Sequence, residues 1–199
     1  MPKAVEFFFD VGSPAAYIAW TQLPQLCREA GAAISYKPML LGGVFQATGN
    51  HSPTTVPAKG RYMMDDLGRF AARYGIAFQE NPHFPINTLM LMRGAAGLQM
   101  QDPARFVPYV DAVYGAIWAD ARNMNDPASV AAVLQTAGFD PGALLAMSGE
   151  QAVKDRLKAI TQEAVDRGVF GAPTFFVGGQ MHWGQDRLDF VQQALKAAP

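Results

Sequence analysis

One cysteine in 199 residues, Cys27, is the scarcest resource of this sequence. It excludes an intramolecular disulfide, a CxxC redox pair and a cysteine-rich zinc site. Charge of one sign is lacking too: 16 Lys and Arg against 17 Asp and Glu leave a formal net charge of −1, so no general field recruits nucleic acid or a membrane surface. Local anion sites are untouched by that balance. No apolar run approaches the length of a membrane span, and there is no internal repeat. The first residues pass into a strand without the basic and apolar regions of a secretory leader, and the expectation is a cytoplasmic protein. The three histidines, His51, His83 and His182, show neither metal-ligand spacing nor a triad motif, and no phosphate loop or dinucleotide fingerprint occurs.

Apolar residues are what the chain has in quantity. Half of it is hydrophobic, with 13 Phe, 10 Met and 3 Trp, enough for one core or a core with a sizeable insertion, and for either a dense interior or an apolar pocket. The stretch that organises the rest is FFFDVGSPAAY, Phe7 to Tyr17. A strand from Ala4 to Phe9, without clean alternation and so covered on both faces, runs into Asp10-Val11-Gly12; Ser13-Pro14 then opens a helix. Ser13 suits the N-cap and Pro14 the first turn, where its missing N–H has no role. Ser13 thus sits where a helix presents unpaired N–H groups, a position that attracts anions, although Ser-Pro is also simply how many helices start.

The helix from Ser13 to Ala30 closes at Gly31, with Tyr17, Trp20, Leu23 and Cys27 on its buried face; Cys27 reads as a core residue. Ala33 to Lys37 forms a second strand stopped by Pro38, completing a βαβ unit with parallel strands. From Met39 to Gly168 the signals turn helical. Leu41 through Pro57, rich in Gly, Pro, Ser and Thr, reads as a surface loop. Met63, Leu67, Phe70, Ala71 and Tyr74 mark a helix ended by Gly75, with Asp65 and Arg69 paired on its opposite face. After a loop at Glu80 to Pro85, a Met- and Leu-rich helix starts near Asn87, and others open at Asp102-Pro103, Asp126-Pro127 and Asp140-Pro141. Val153, Leu157, Ile160 and Ala164 carry one more toward Gly168. Thr174 to Val177 and Met181 to Trp183 then read as a hairpin about Gly178-Gly179, and a closing helix begins near Asp186 with Leu188, Val191 and Leu195 inward. The expected fold class is α/β, with residues 1–39 and 169–199 forming one domain and residues 40–168 an inserted helical one.

The order βαβ, helical insertion, ββα is that of thioredoxin-like folds. On the segments FFFDVGSPAAY, LLGGVFQATGN, NPHFPINT, GVFGAPTFFV and MHWGQDRLDF, the whole chain resembles the DsbA-like branch of that fold and, within it, the kappa-class glutathione transferases and 2-hydroxychromene-2-carboxylate isomerases. Redox members begin the first helix with CxxC. Here Gly12-Ser13-Pro14-Ala15 stands in that place, so dithiol chemistry is excluded and a hydroxyl takes the position. The resemblance implies glutathione as cofactor, lying against Ser13, Pro14 and Ala15. It also implies that the cysteinyl backbone pairs with Ala172 ahead of a cis Pro173, that Gln185 and Asp186 hold the γ-glutamyl end, and that Asn50 makes a further contact. Gln185 departs from the small hydroxyl residue common there in kappa-class proteins. Read from the residues alone, Pro173 is an ordinary strand-edge proline, Asp186 a helix cap and Asn50 a turn former.

A serine nucleophile needs a base within reach, and none is recognisable, so Ser13 reads as a hydrogen-bond donor to the glutathione thiolate. Moving a thiol pKa from about 8.5 to about 6.5 takes roughly 2.7 kcal/mol. A helix N-terminus supplies about 0.3–2 kcal/mol and a hydrogen bond to a charged group about 1.5–3, which together suffice without a cationic neighbour. The activity implied by the resemblance is interconversion of 2-hydroxychromene-2-carboxylate and trans-o-hydroxybenzylidenepyruvate in aromatic hydrocarbon breakdown. The thiolate adds to the conjugated ring-opened acid, the former double bond rotates, and elimination restores the alkene.

Lys37 is a candidate to attract the carboxylate of this small aromatic 2-oxo or hemiketal acid, or else a solvated lysine. Tyr114, Trp118 and the helix after Asn87 are candidate pocket walls or plain core. Two other readings stay open: a kappa-like transferase that consumes glutathione, and a non-catalytic thioredoxin-like binding module. Relatives suggest a homodimer; no metal, nucleic-acid or membrane partner is expected. The loops at Thr48 to Pro57 and Asn81 to Pro85 are candidates to cover the site.

Overall fold

Strand β1 (Ala4–Phe9) is apolar on both faces, with Val5, Phe7 and Phe9 in the larger of two core clusters and Phe8 in the smaller, and it accordingly lies inside the sheet. The computed structural model describes residues 3–197. β2 (Ala33–Pro38) pairs parallel with β1, Ala4 opposite Ala33, while β3 (Thr174–Val177) pairs antiparallel on its other side, Phe7 opposite Phe175. β4 (Gln180–Trp183) joins β3 antiparallel and completes the order β2-β1-β3-β4. The β3–β4 turn is Gly178-Gly179 with φ of +55° and +86°, a left-handed pair that suits the twist of a two-residue hairpin.

Nine helices occupy the described residues: α1 (Pro14–Ala30), α2 (Leu41–Thr48), α3 (Pro57–Tyr74), α4 (Leu89–Gln101), α5 (Pro103–Tyr114), α6 (Pro127–Thr136), α7 (Pro141–Gly149), α8 (Gln151–Asp166) and α9 (Leu188–Ala197). α1 and α9 pack together in the larger core cluster, whereas α2 and α8 enclose Phe8 and Phe176 in the smaller. The larger cluster does not stop at the insertion. Phe9 meets Phe106 of α5 with ring centroids 6.4 Å apart, and Trp20 meets Tyr114 at 5.7 Å. Fully burying each such ring is worth about 1.5–3 kcal/mol, so one apolar interior joins sheet, first helix and inserted helices. Cys27 lies in it, 2% exposed, its thiol pushed up to about 11 by burial. None of the helices in the described residues is by itself long and apolar enough to cross a membrane.

Three local expectations are corrected. The stretch from Leu41 is helical through Thr48, where the Gly- and Thr-rich pattern suggested a loop. Its start is satisfied from outside its own sequence: the Leu41 N–H donates to the Asp10 carboxylate at 2.8 Å and the Leu40 N–H to the Thr161 hydroxyl at 2.9 Å. Gly43 also lets α8 come close, since a Cβ there would stand 3.3 Å from Thr161. On α3, Arg69 pairs with Asp66 at 3.2 Å, one turn back, instead of Asp65. Finally, Asp186 belongs to a 3-10 turn, Gln185–Arg187, and α9 begins at Leu188.

Candidate active site

Ser13 is the N-cap of α1, with extended φ/ψ of −95° and 115°, and Pro14 occupies the first helical position. Its Oγ accepts the Ala16 N–H at 3.2 Å, satisfying one of the helix's orphan donors. The hydroxyl then donates across to the Ala172 carbonyl at 3.0 Å. Ala172–Pro173 is a cis peptide bond, as the resemblance implied, so the first turn of α1 and the segment entering β3 face each other through one hydrogen bond. Ser13 itself is only 5% exposed. An anion that uses the Ser13 hydroxyl as a donor draws that hydrogen bond away from the Ala172 carbonyl. Ala15, at the second helical position, has no intrahelical acceptor for its N–H.

The turn that presents Ser13 is held from every side by the inserted helices. Tyr114 donates its phenol to the Asp10 carbonyl at 3.3 Å, and the Trp118 indole N–H donates to the Val11 carbonyl at 2.8 Å. Beyond Tyr114, α5 widens into a π-helical turn at Gly115–Ala119 that carries Trp118, a distortion that commonly marks functional sites. Tyr114 and Trp118 are 1% and 0% exposed, so they are core residues that brace the site and not the wall of an open pocket. Asn81, 3% exposed, donates both amide hydrogens, to the Ile117 and Arg122 carbonyls at 2.9 Å each; the loop it opens is pinned to the π-turn and the residues after it.

Asp10 is the residue that sequence reasoning missed. It is 1% exposed, and its carboxylate accepts the Gly12 N–H at 2.9 Å, the Leu41 N–H at 2.8 Å and the Thr88 hydroxyl at 3.1 Å. Burial raises its pKa, opposed in turn by the Gly12 and Leu41 amides and Thr88. The available signal was an acid directly after the apolar run Phe7-Phe8-Phe9, where a charge has to find partners.

The other expected positions cluster around the cis proline. Asn50, just beyond α2, donates its amide to the Phe170 carbonyl at 2.7 Å and accepts the His51 N–H at 2.8 Å, so it ties the insertion to the segment carrying Ala172. Trp183 packs against Phe170 with centroids 4.9 Å apart and the rings tilted by 50°, and it lies against Gly171, where a Cβ would stand 2.6 Å from its indole nitrogen. Gln185 is 5% exposed and its Oε1 has no hydrogen-bond partner among the described residues. Asp186 caps no helix; its carboxylate pairs with the adjacent Arg187 at 2.6 Å and stays 45% exposed.

Lys37 departs from expectation. Its ammonium is 2.9 Å from Glu163 and 3.6 Å from Glu6, inside a four-charge network completed by Arg167, so its charge is balanced within the protein. It also lies over Phe8, on the α2–α8 side of the sheet, whereas Ser13 opens a helix of the opposite side.

A thioredoxin-like sheet, a large helical insertion and a serine facing a cis proline where redox relatives carry cysteine define a DsbA-like protein without the dithiol. Residues 4–196 match the DSBA-like thioredoxin domain. The chain is 33% identical to 2-hydroxychromene-2-carboxylate isomerase of Sphingobium xenophagum, over 98% of this chain and 99% of that protein. The solved structure of a 2-hydroxychromene-2-carboxylate isomerase superposes with a TM-score of 0.85 at 30% identity, covering 96% of this chain and 94% of that one. Human glutathione S-transferase kappa 1 is 26% identical over 98% of this chain and 92% of its own. The chain belongs to the family of 2-hydroxychromene-2-carboxylate isomerases and kappa-class glutathione transferases.

Proposed function

We propose that the protein is a glutathione-dependent isomerase that interconverts 2-hydroxychromene-2-carboxylate and trans-o-hydroxybenzylidenepyruvate. The observation that carries this reading is the Ser13 hydroxyl at the mouth of α1, 3.0 Å from the Ala172 carbonyl. Each of these groups is matched to one part of a cysteinyl unit. A thiolate accepts a hydrogen bond from the hydroxyl, an amide N–H donates to the carbonyl, and one internal hydrogen bond is exchanged for two.

The remaining site residues fit the tripeptide. Gln185 offers an unpartnered buried acceptor beside Asp186, which is exposed enough to meet an ammonium, and Asn50 braces the Phe170–Pro173 segment from the other side. Glutathione, when bound, supplies a sulfur nucleophile that can add reversibly to a conjugated acid. The chain's own contribution is to favour the ionised sulfur: the α1 N-terminus and the Ser13 hydroxyl stabilise negative charge there, and burial of the turn weakens the competition from water. Ser13 acts as a donor, since among the described residues its Oγ contacts a backbone amide and a carbonyl but no base.

The test is ultraviolet monitoring of a hydroxychromene carboxylate with and without glutathione. Isomerisation that requires the tripeptide without consuming it supports the proposal. Net loss of glutathione to an electrophile assigns a transferase, the activity named in the human relative. Isomerisation without glutathione overturns the mechanism, and absence of glutathione binding by calorimetry points to a non-catalytic module.

A further inference from the structure

Two backbone N–H groups from different elements, Gly12 in the β1–α1 turn and Leu41 at the start of α2, converge on the two oxygens of one buried carboxylate, Asp10. Only a carboxylate meets that demand. An asparagine of the same shape has one acceptor oxygen and one NH2, so one of the two amides would face a donor. The second oxygen also receives the Thr88 hydroxyl, one residue ahead of α4, and the Asp10 carbonyl receives both the Ser13 N–H at 3.0 Å and the Tyr114 phenol. Among the described residues no Lys, Arg or His pairs with this carboxylate. A carboxyl group kept in the interior without a counter-ion is costly, and its donors show what it is there to hold.

There is no slack around the turn. A Cβ on Gly12 would stand 2.9 Å from the Thr88 methyl, the Val11 carbonyl is taken by Trp118, and the Val11 N–H points to Met92 sulfur at 3.4 Å. Ser13 inherits its place from this arrangement. Its backbone is anchored on Asp10, and the remaining freedom of its side chain is spent between Ala16 and Ala172.

We propose that Asp10 is the positioning residue of the site, joining the β1–α1 turn to the starts of α2 and α4 so that the Ser13 hydroxyl is aimed at an incoming sulfur. The claim rests on the thiolate-stabilising reading of Ser13. It adds that the inserted helices set the donor geometry through one carboxylate.

The test compares wild type with Asp10→Asn and with Asp111→Asn. Asp111 accepts the Trp20 indole N–H at 2.6 Å across the α1–α5 contact, two turns along the helix from Ser13, and serves as a purely structural control. Two readouts are taken on folded protein: amide hydrogen exchange over residues 11–16, and the pH midpoint of bound glutathione by thiolate absorbance. For Asp10→Asn the expected result is faster exchange across that segment, a raised midpoint with glutathione still bound, and kcat/KM for isomerisation lowered by about ten- to hundredfold. Asp111→Asn, which also removes a carboxylate charge but keeps an acceptor oxygen for the Trp20 indole N–H, is expected to move neither readout.

Exchange and midpoint in Asp10→Asn equal to those of wild type, or matched by Asp111→Asn, overturn the proposal. If Asp10→Asn does not fold, Thr88→Val, which removes one donor and keeps the carboxylate, decides by the same two readouts, and values equal to wild type overturn it. If wild type fails to ionise bound glutathione, the reading of Ser13 falls, and exchange alone decides. Faster exchange confined to Asp10→Asn upholds the positioning role, and equal exchange overturns it.

Discussion

Replacing Ser13 by Ala removes one oxygen that has two partners, and the two losses are read by different instruments. The first is the cap: without Oγ accepting the Ala16 N–H, α1 should lose about 1 kcal/mol, which lowers the melting temperature of a domain of this size by roughly 2–4 °C. The second is the donor to the sulfur. A hydrogen bond to a charged acceptor contributes about 1.5–3 kcal/mol, but making it requires giving up the neutral bond to the Ala172 carbonyl, worth about 0.5–1.5. The net preference for the thiolate is therefore about 1–1.5 kcal/mol, or close to one pKa unit. Because the donor stabilises the charged form, removing it raises the titration midpoint of bound glutathione by about that unit. The α1 N-terminus remains in the variant, so the midpoint should still lie below that of free glutathione. Thiolate absorbance against pH, on wild type, Ser13→Ala and Ser13→Thr, measures this directly. Ser13→Thr keeps a hydroxyl and should restore most of the shift. A Ser13→Ala variant that binds glutathione with an unmoved midpoint refutes the argument, whatever its melting temperature does.

Other consequences follow from single groups. Gln185→Leu should raise the melting temperature of the free protein, since it removes a buried acceptor without a partner, and should weaken glutathione binding if that acceptor serves the γ-glutamyl end; affinity unchanged in calorimetry separates the residue from the ligand. Asn50→Ala should speed amide exchange from Phe170 to Thr174 and weaken glutathione several-fold, because it releases the Phe170 carbonyl; unchanged exchange shows that Asn50 does not brace the segment. The Glu6 carboxyl is held below its ordinary range chiefly by its hydrogen bonds to Arg167, against the upward push of burial and with further help from the Arg167 and Lys37 charges. A depressed folded-state pKa gives stability that is present above the unfolded value and lost as pH falls through the folded one. Arg167→Gln removes the largest cause, so melting temperature plotted from neutral pH downward should fall less steeply in the variant, and parallel curves would contradict this assignment. Its cation–π contact with Phe176, 3.8 Å from the ring centroid, is lost at every pH and shifts the whole curve without changing its slope.

Much of the architecture was legible because local rules and tertiary packing agreed. Asp126-Pro127 and Asp140-Pro141 cap their helices as the pattern required, each aspartate accepting two backbone N–H groups. Gly31 and Gly75 close α1 and α3 in the left-handed region, and Gly178-Gly179 turns the hairpin. Where the reading failed, the stabilising group came from far along the chain. α2 carries Gly42-Gly43 and has no side-chain cap at its start, although Gly49 ends it in the left-handed region, so nothing nearby announced where a helix begins; its first amides are taken by Asp10 and Thr161, 31 and 121 residues away in sequence. The choice of Asp66 over Asp65 for Arg69 is a rotamer decision between two adjacent acids, which spacing cannot make. Lys37 was a cation at a strand end on paper. Its nearer partner, Glu163, lies on α8, which only folding brings to β2.

What the sequence determined by itself is chemical: a single buried thiol, no CxxC, and a serine with proline behind it at the mouth of the first helix, which together rule out dithiol exchange and leave a hydroxyl as the group on offer. What tertiary structure decided is where that hydroxyl points. The Ala172 carbonyl 159 residues away, the Asp10 carboxylate shared between two helix starts, and the π-turn that swings Trp118 onto Val11 are contacts between elements distant in the chain. Composition and spacing report which groups exist and which face of a helix they share. The direction of a hydrogen bond depends on distances of a few tenths of an ångström between elements, and those exist only once the core has closed.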